Sequence, residues 1–239
     1  YPLYNKETRK NVSVELDVIL THGYLVTAHR QELHFLKDIH EKLSHRTIRI
    51  DNPVTLYMNI VETMLDACMM PLNRIAEKID YIEEEIFRGN ERGMISEISF
   101  VKRDVLDFRK IIRLHKAVID SSFKLIPSYF PDAKINQKDL SDILATNTHI
   151  WNITENLKEA IEAFDDTNQT LLSHKLNENI KTLTIFSTTL APASLLAAIL
   201  GMNAEMQFLQ TPEAFFVVVG GLFALTATLY IYFKQKDVI

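Results

Sequence analysis

The chain has 239 residues, 47% of them hydrophobic and 24% charged, and a formal net charge of −5. One cysteine excludes a disulfide framework and any cysteine-cluster metal site, and the acidic balance argues against a nucleic-acid partner. Six glycines, of which only Gly23, Gly89 and Gly93 precede residue 200, exclude a glycine-rich phosphate loop, a dinucleotide fold and a turn-rich β-barrel.

The predicted elements begin with strands and become long helices. Val12, Val14, Leu16 and Val18 alternate with Ser13, Glu15 and Asp17, which predicts a half-buried strand. Thr21-His22-Gly23 reads as a turn and Tyr24 to Ala28 as the next strand. Leu33, Leu36, Ile39 and Leu43 predict a short amphipathic helix. The chain opens at Tyr1 without a methionine, so part of this sheet is expected to lie outside the sequence.

Asn52-Pro53 starts a helix running to about Arg88. Val61, Cys68, Ile75 and Ile82 form one heptad seam, and Leu65, Leu72, Ile79 and Ile86 form a second. Cys68 therefore reads as core rather than nucleophile, and Pro71 should kink the helix. Gly89-Asn90 ends it. A second helix runs from Glu91 to about Leu125, with Ile98, Val101, Val105, Phe108 and Ile112 on one face, until Pro127 and Pro131 break it. The next helix is long: from Gln137 to Met202 the only proline is Pro192 and the only glycine Gly201. Its front part carries Ile143, Ile150, Leu157, Phe164 and Leu171 at intervals of seven, beside a polar seam of Leu140, Asn147, Thr154, Ile161, Asn168 and Lys175. This predicts a stalk that bundles with copies of itself around a wet interior, that packs against its own hairpin, or that does both on different faces.

The mean hydropathy of −0.01 averages two unlike parts. No charged residue occurs from Thr182 to Ala204, nor from Ala214 to Phe233. Each run meets the ~20 residues a helix needs to cross a bilayer core, and their position excludes a signal peptide. Lys175 and Lys181 precede the first run and Lys234 and Lys236 follow the second, while the link between them carries Glu205 and Glu213 and no lysine or arginine. The positive-inside rule then places both termini in the cytoplasm and the link outside. Stepping by three and four, Asn177, Ile180, Thr184, Ser187, Ala191, Ser194, Ala198 and Gly201 form a small or polar stripe on the first span. Such a stripe serves close helix packing or faces water. It continues the stalk line and ends at Asn203, which favours a pore built from several copies in cyclic symmetry. The stripe carries no charge, which suits a cation that keeps its water, and Mg2+ releases water reluctantly. The acidic link would gather cations at the outer mouth.

Gly201-Met202-Asn203, at the end of the first of two C-terminal spans, resembles the signature of the CorA family of magnesium channels. The flanking NENIKTLTIFSTTLAPASLLAAILGMN is similar to that family's first transmembrane segment, and the strand pair, helical hairpin and stalk follow in the family's order. The resemblance implies a mostly α fold with a small α/β N-terminal cytoplasmic domain, assembled as a homopentameric funnel. It divides the chain into a cytoplasmic domain (1–136, with the hairpin at 53–127), stalk (137–181), pore-lining span (182–203), external loop (204–213), second span (214–233) and cytoplasmic tail (234–239). It also implies that Gly201, Met202 and Asn203 form the outer selectivity ring. Asn177, Ile180, Leu183 or Thr184, Ala191 and Ser194 would line the pore, with Ile180 and Leu183 at a hydrophobic constriction. Lys234 and Lys236 would form a basic collar at the inner mouth. Asp142, in Leu-Ser-Asp-Ile, aligns with a regulatory metal ligand through which relatives sense cytoplasmic Mg2+.

The sequence departs from the family pattern at Leu200, where an aromatic is usual, in the link AEMQFLQTPEAF, and at Ile180 and Ala191, where methionines are usual. The reading is a cell-membrane channel for Mg2+ influx, extending to Co2+ and Ni2+, with Mg2+ as cargo and regulator and no organic cofactor. Its partners are further copies of the chain, membrane lipid and divalent cations. Two alternatives stand beside it: a proton-linked zinc transporter of the same fold, and a membrane-anchored coiled-coil scaffold that conducts nothing. An enzyme is not expected, since the eight histidines form no H-E-x-x-H pattern and no nucleophile motif occurs.

Overall fold

The computed structural model describes residues 1–5, 10–45, 47–48, 50–133, 135–201 and 212–235. Four short strands precede six helices: β1 (Pro2–Asn5), β2 (Lys10–Ser13), β3 (Leu16–Leu20), β4 (Leu25–His29), α1 (His34–Ser44), α2 (Pro53–Ala67), α3 (Met69–Phe87), α4 (Glu91–Tyr129), α5 (Gln137–Gly201) and α6 (Pro212–Gln235). The fold is mostly α with a small strand-bearing N-terminal region. It divides into two compact units, residues 1–168 and 169–239, and α5 contributes to both.

The strands form two antiparallel hairpins, with Leu3 opposite Val12 and Val18 opposite Thr27. The run from Val12 to Val18, expected as one strand, is split between β2 and β3. Val14 lies in the break, 5% exposed, and exchanges both backbone hydrogen bonds with Tyr1. The turn at Thr21-His22-Gly23 closes β3 onto β4, with Thr21 N–H donating to the Tyr24 carbonyl. Leu33, Phe35 and Ile39 seat α1 in a core shared with Val14 and Ile60 of α2.

The rod expected from Pro53 to Arg88 is broken at Cys68, three residues before Pro71. The cause is the proline itself. It has no N–H to give the carbonyl four residues back, and its ring crowds that carbonyl. That carbonyl is Ala67, and the Tyr1 hydroxyl donates to it at 3.3 Å. Asn52 caps α2, its Oδ1 accepting from Thr55 N–H at 2.9 Å. Gly89, at φ 91°, ends α3 in a Schellman arrangement: Asn90 N–H reaches the Glu85 carbonyl and Gly89 N–H the Ile86 carbonyl.

The eight seam residues of α2 and α3, from Val61 to Ile86, are all 4% exposed or less. Facing them from α4 are Ile98, Val101, Val105, Phe108 and Ile112, each 1% exposed or less. Fully burying one such side chain is worth roughly 1.5–3 kcal/mol, so this double seam dominates the energetics of the first unit. Cys68, completely buried in it, has its thiol pushed up to about 12 by burial, consistent with a packing role. The α4 helix passes Pro127 and ends at Tyr129, beyond the expected stop at Leu125. A proline in the final turn forfeits one bond without ending the helix, and Phe130 N–H closes the turn on the Ile126 carbonyl at 2.8 Å.

The front of α5 runs along α4. Lys102 reaches Asp165, Arg109 reaches Glu155, and the Arg109 guanidinium stacks 5.4 Å from the Trp151 ring centroid. The pairing of lower α4 numbers with higher α5 numbers makes the two helices antiparallel. Both α5 seams lie on this face. Ile143 and Ile150 are buried, and so are Asn147, Thr154, Ile161 and Asn168, each 1% exposed. Of the two placements expected for the polar seam, packing within its own chain holds from Asn147 to Asn168, while Lys175 is exposed. The two seams alternate at steps of three and four and form one stripe, so burying one carries the other. Thr154 satisfies its hydroxyl by donating to the Ile150 carbonyl at 2.7 Å, whereas the side-chain oxygens of Asn147 and Asn168 have no partner among the described residues.

Candidate functional site

The second unit carries the uncharged runs on α5 and α6. Both helices are long and apolar enough to cross a membrane. In the best apolar window of α6 no residue is buried, and in that of α5 only 11% are. The core helix of a soluble protein would be mostly buried, so burial within this chain does not account for these faces. Pro212 begins α6 and Glu213 stands in its first turn, where a carboxylate complements the helix dipole.

The stripe positions Asn177, Ile180, Thr184, Ser187, Ala191, Ser194 and Ala198, and Leu183 beside them, are exposed in the single chain, Ile180 by 52% and Leu183 by 65%. The opposite face carries Ile185, 8% exposed, beside a cavity that α5 shares with α6. The stripe is therefore left open where further copies, or water, would meet it. Pro192 sits inside the helix, so the Thr188 carbonyl lacks its usual donor, a feature membrane helices tolerate. Away from the stripe, Thr182 donates to the Glu178 carbonyl at 2.9 Å and Thr228 to the Ala224 carbonyl at 2.7 Å, whereas the buried Thr189 hydroxyl has no partner among the described residues.

Gly201 is the last residue of α5. Met202, Asn203 and Glu205, expected at the outer mouth, lie outside the described residues, as does Lys236. Lys234 falls in the last turn of α6.

In the first unit, Asp142 is exposed on the second turn of α5. It has acidic company that the sequence alone did not supply. The Glu62 carboxyl of α2 is held above its usual range, first by partial burial and then by the charges of Asp66, Asp139 and Asp142, with Lys42 opposing. Asp66 of α2 and Asp139 and Asp142 at the start of α5 thus all lie within electrostatic reach of Glu62. Glu62 and Asp66 are spaced i, i+4, and so share a helix face, but only tertiary packing brings that face to Asp142. Among the described residues of one chain, no three acidic, histidine or cysteine side chains converge closely enough to hold a metal ion.

The family model described as a CorA-like Mg2+ transporter protein matches residues 1–235. The cobalt/magnesium transport protein CorA of Thermotoga maritima is 23% identical over 236 residues, covering 98% of this chain and 67% of that protein. A putative metal ion transporter of Bacillus subtilis is 24% identical over 234 residues, covering 97% of this chain and 72% of that protein. Among solved structures, the complete CorA magnesium transporter of Methanocaldococcus jannaschii superposes with a TM-score of 0.83 at 18% identity, covering all of this chain and 75% of that one. The full-length CmaX protein gives a TM-score of 0.71 at 16% identity, covering 93% and 68%.

Proposed function

The chain belongs to the family of CorA-like Mg2+ transporter proteins, and on that premise we propose that it is a membrane channel carrying Mg2+ into the cytoplasm. The observation that carries the reading is the uncharged stripe on α5. It runs exposed from Asn177 to Ala198 and leads to Gly201-Met202-Asn203. One helix cannot enclose a pore, so copies must gather with their stripes inward, and the family resemblance makes that number five.

Mg2+ keeps its inner waters at modest cost and sheds them only at large cost. Hydroxyls, amides and backbone carbonyls can hydrogen-bond those waters without binding the ion so tightly that it cannot leave. Asn203, with the backbone of Gly201 and Met202, forms the outer ring in this reading. Glu205 and Glu213 raise the local cation concentration before it. Ile180 and Leu183 form the inner constriction, where an apolar ring closes by dewetting. Thr184, Ser187, Ala191 and Ser194 lie between. Lys234 and Lys236 surround the inner mouth, and both termini are cytoplasmic. An inside-negative potential supplies about 4.6 kcal/mol per 100 mV for a divalent ion, twice the single-charge value, so influx needs no coupled reaction.

Regulation follows from Asp142. The like charges around Glu62 repel in the absence of metal, and a divalent cation shared with a second copy relieves that repulsion, favouring the closed assembly when cytoplasmic Mg2+ is high.

The test is ion flux into liposomes holding the purified protein, with Mg2+, Co2+ and Zn2+ compared with and without a pH gradient. Mg2+ uptake driven by potential alone supports the channel. Zinc uptake that requires the pH gradient would replace it with a proton-linked transporter, and no flux would leave a scaffold.

A further inference from the structure

The helices of the first unit are not held together in the same way. The seam residues of α2 and α3, and those facing them from α4, are apolar and buried throughout. On the front of α5, Ile143, Ile150 and Ile161 are buried, but Leu157 and Phe164 are only half-buried. Between them stand Asn147, Thr154 and Asn168, each 1% exposed.

Thr154 turns its hydroxyl to the Ile150 carbonyl and is satisfied. Asn147 and Asn168 differ, because the Oδ1 of each is buried with no donor among the described residues. An amide oxygen in that state carries the cost of its desolvation, and recovers it as soon as water arrives. The two amides stand near the ends of the buried stretch, ~32 Å apart along the helix. Leucine has the same branched shape without the amide, and the seams of α2 and α3 use it at Leu65 and Leu72. The ties from α5 to α4 are weak as well. Lys102 with Asp165 and Arg109 with Glu155 are partly exposed on both sides, and such pairs contribute little. The docked state of α5 thus bears a penalty at both ends that the apolar seams of the hairpin do not bear.

We propose that Asn147 and Asn168 make the front of α5 a release joint. The helix leaves the hairpin as a body and wets both amides, while α2, α3 and α4 stay packed. This release accompanies opening of the channel. The link to opening rests on the channel reading, and the release itself does not.

The experiment uses the full chain in vesicles and a membrane-permeant maleimide, with labelled thiols mapped by mass spectrometry. Ile150→Cys and Ile98→Cys make the same truncation at buried seam positions of α5 and α4. The native Cys68, completely buried in the hairpin seam, reports any opening of the hairpin itself. The thiol of Ile150→Cys should react faster than that of Ile98→Cys. Adding Asn147→Leu and Asn168→Leu should slow it by about fivefold or more per amide, the low end of the cost of an unpaired buried group. The same pair should leave Ile98→Cys and Cys68 unchanged. On the otherwise unaltered chain, the two leucines should lower Mg2+ uptake by the same factor with assembly size retained. Reaction of Ile150→Cys no faster than that of Ile98→Cys, or unaffected by the leucines, overturns the joint. Slowed reaction with uptake equal to the parent's overturns its part in opening. No uptake by the parent overturns the channel reading, and the labelling then decides the joint by itself. Should the paired replacement fail to assemble, each single one is judged by the same readings.

Discussion

Lys102 Nζ lies 2.6 Å from Asp165 Oδ2, fastening α4 to the stalk helix three residues before Asn168, the last buried seam position. Both side chains are partly exposed, so the pair fixes register more than it adds stability. Lys102→Met should cost no more than about 1 kcal/mol in thermal unfolding. A double-mutant cycle with Asp165→Asn measures the coupling directly, and a coupling of zero would remove the pair from the account of how the stalk is aligned.

His115 projects from the buried face of α4, and its Nδ1 has no hydrogen-bond partner among the described residues. Burial lowers it from 6.5 to about 4. A lowered value favours the deprotonated form, which for histidine is the neutral one, so the stabilisation is lost as pH falls from 6.5 toward 4. The linked loss is on the order of 3 kcal/mol. Melting temperatures between pH 7 and pH 4 should fall more steeply for the parent than for His115→Gln. Parallel curves would contradict the burial argument.

Glu62 carries the opposite sign. Its raised value means that its ionised form opposes folding at neutral pH, and that stability is regained as pH falls through the folded value. Glu62→Gln should therefore raise the melting temperature without Mg2+ and shrink the rise that Mg2+ gives. Asp142→Ala should also weaken the protection that Mg2+ gives the stalk against proteolysis. Equal digestion of parent and variant in high Mg2+ would remove Asp142 from regulation.

Ile180 is 52% exposed on the stripe and stands in the proposed constriction. Replacing an apolar ring by hydroxyls removes the barrier that dewetting supplies. Ile180→Ser should raise Mg2+ flux under conditions that close the parent channel, with unchanged assembly size. Flux no higher than the parent's would move the gate elsewhere.

What could be read from the sequence divides along physical lines. Heptad spacing located the buried seams of α2, α3 and α4, because one period fixes which side chains meet in a helical core. Charge-free length and the Gly201 triplet pointed to the membrane helices and the family, since a bilayer imposes both on local sequence. For the polar seam of α5 the sequence left a wet interior and packing within the chain both open, because Asn147, Thr154 and Asn168 look wet by composition and only tertiary structure shows them buried. The break at Cys68 was displaced from Pro71 because a proline acts on the carbonyl four residues earlier. The carboxylates around Asp142 were invisible because Glu62 and Asp142 are 80 residues apart and meet only through tertiary structure.

The central claim is that Asn203, two residues beyond the end of α5 in the sequence, admits hydrated Mg2+. It is tested by Mg2+ uptake into liposomes holding the parent chain or Asn203→Ala, at equal reconstituted amounts and with an inside-negative potential. The account predicts uptake by the parent and its loss in the variant, with assembly size and melting temperature retained. Equal uptake by both, or none by either, would contradict it.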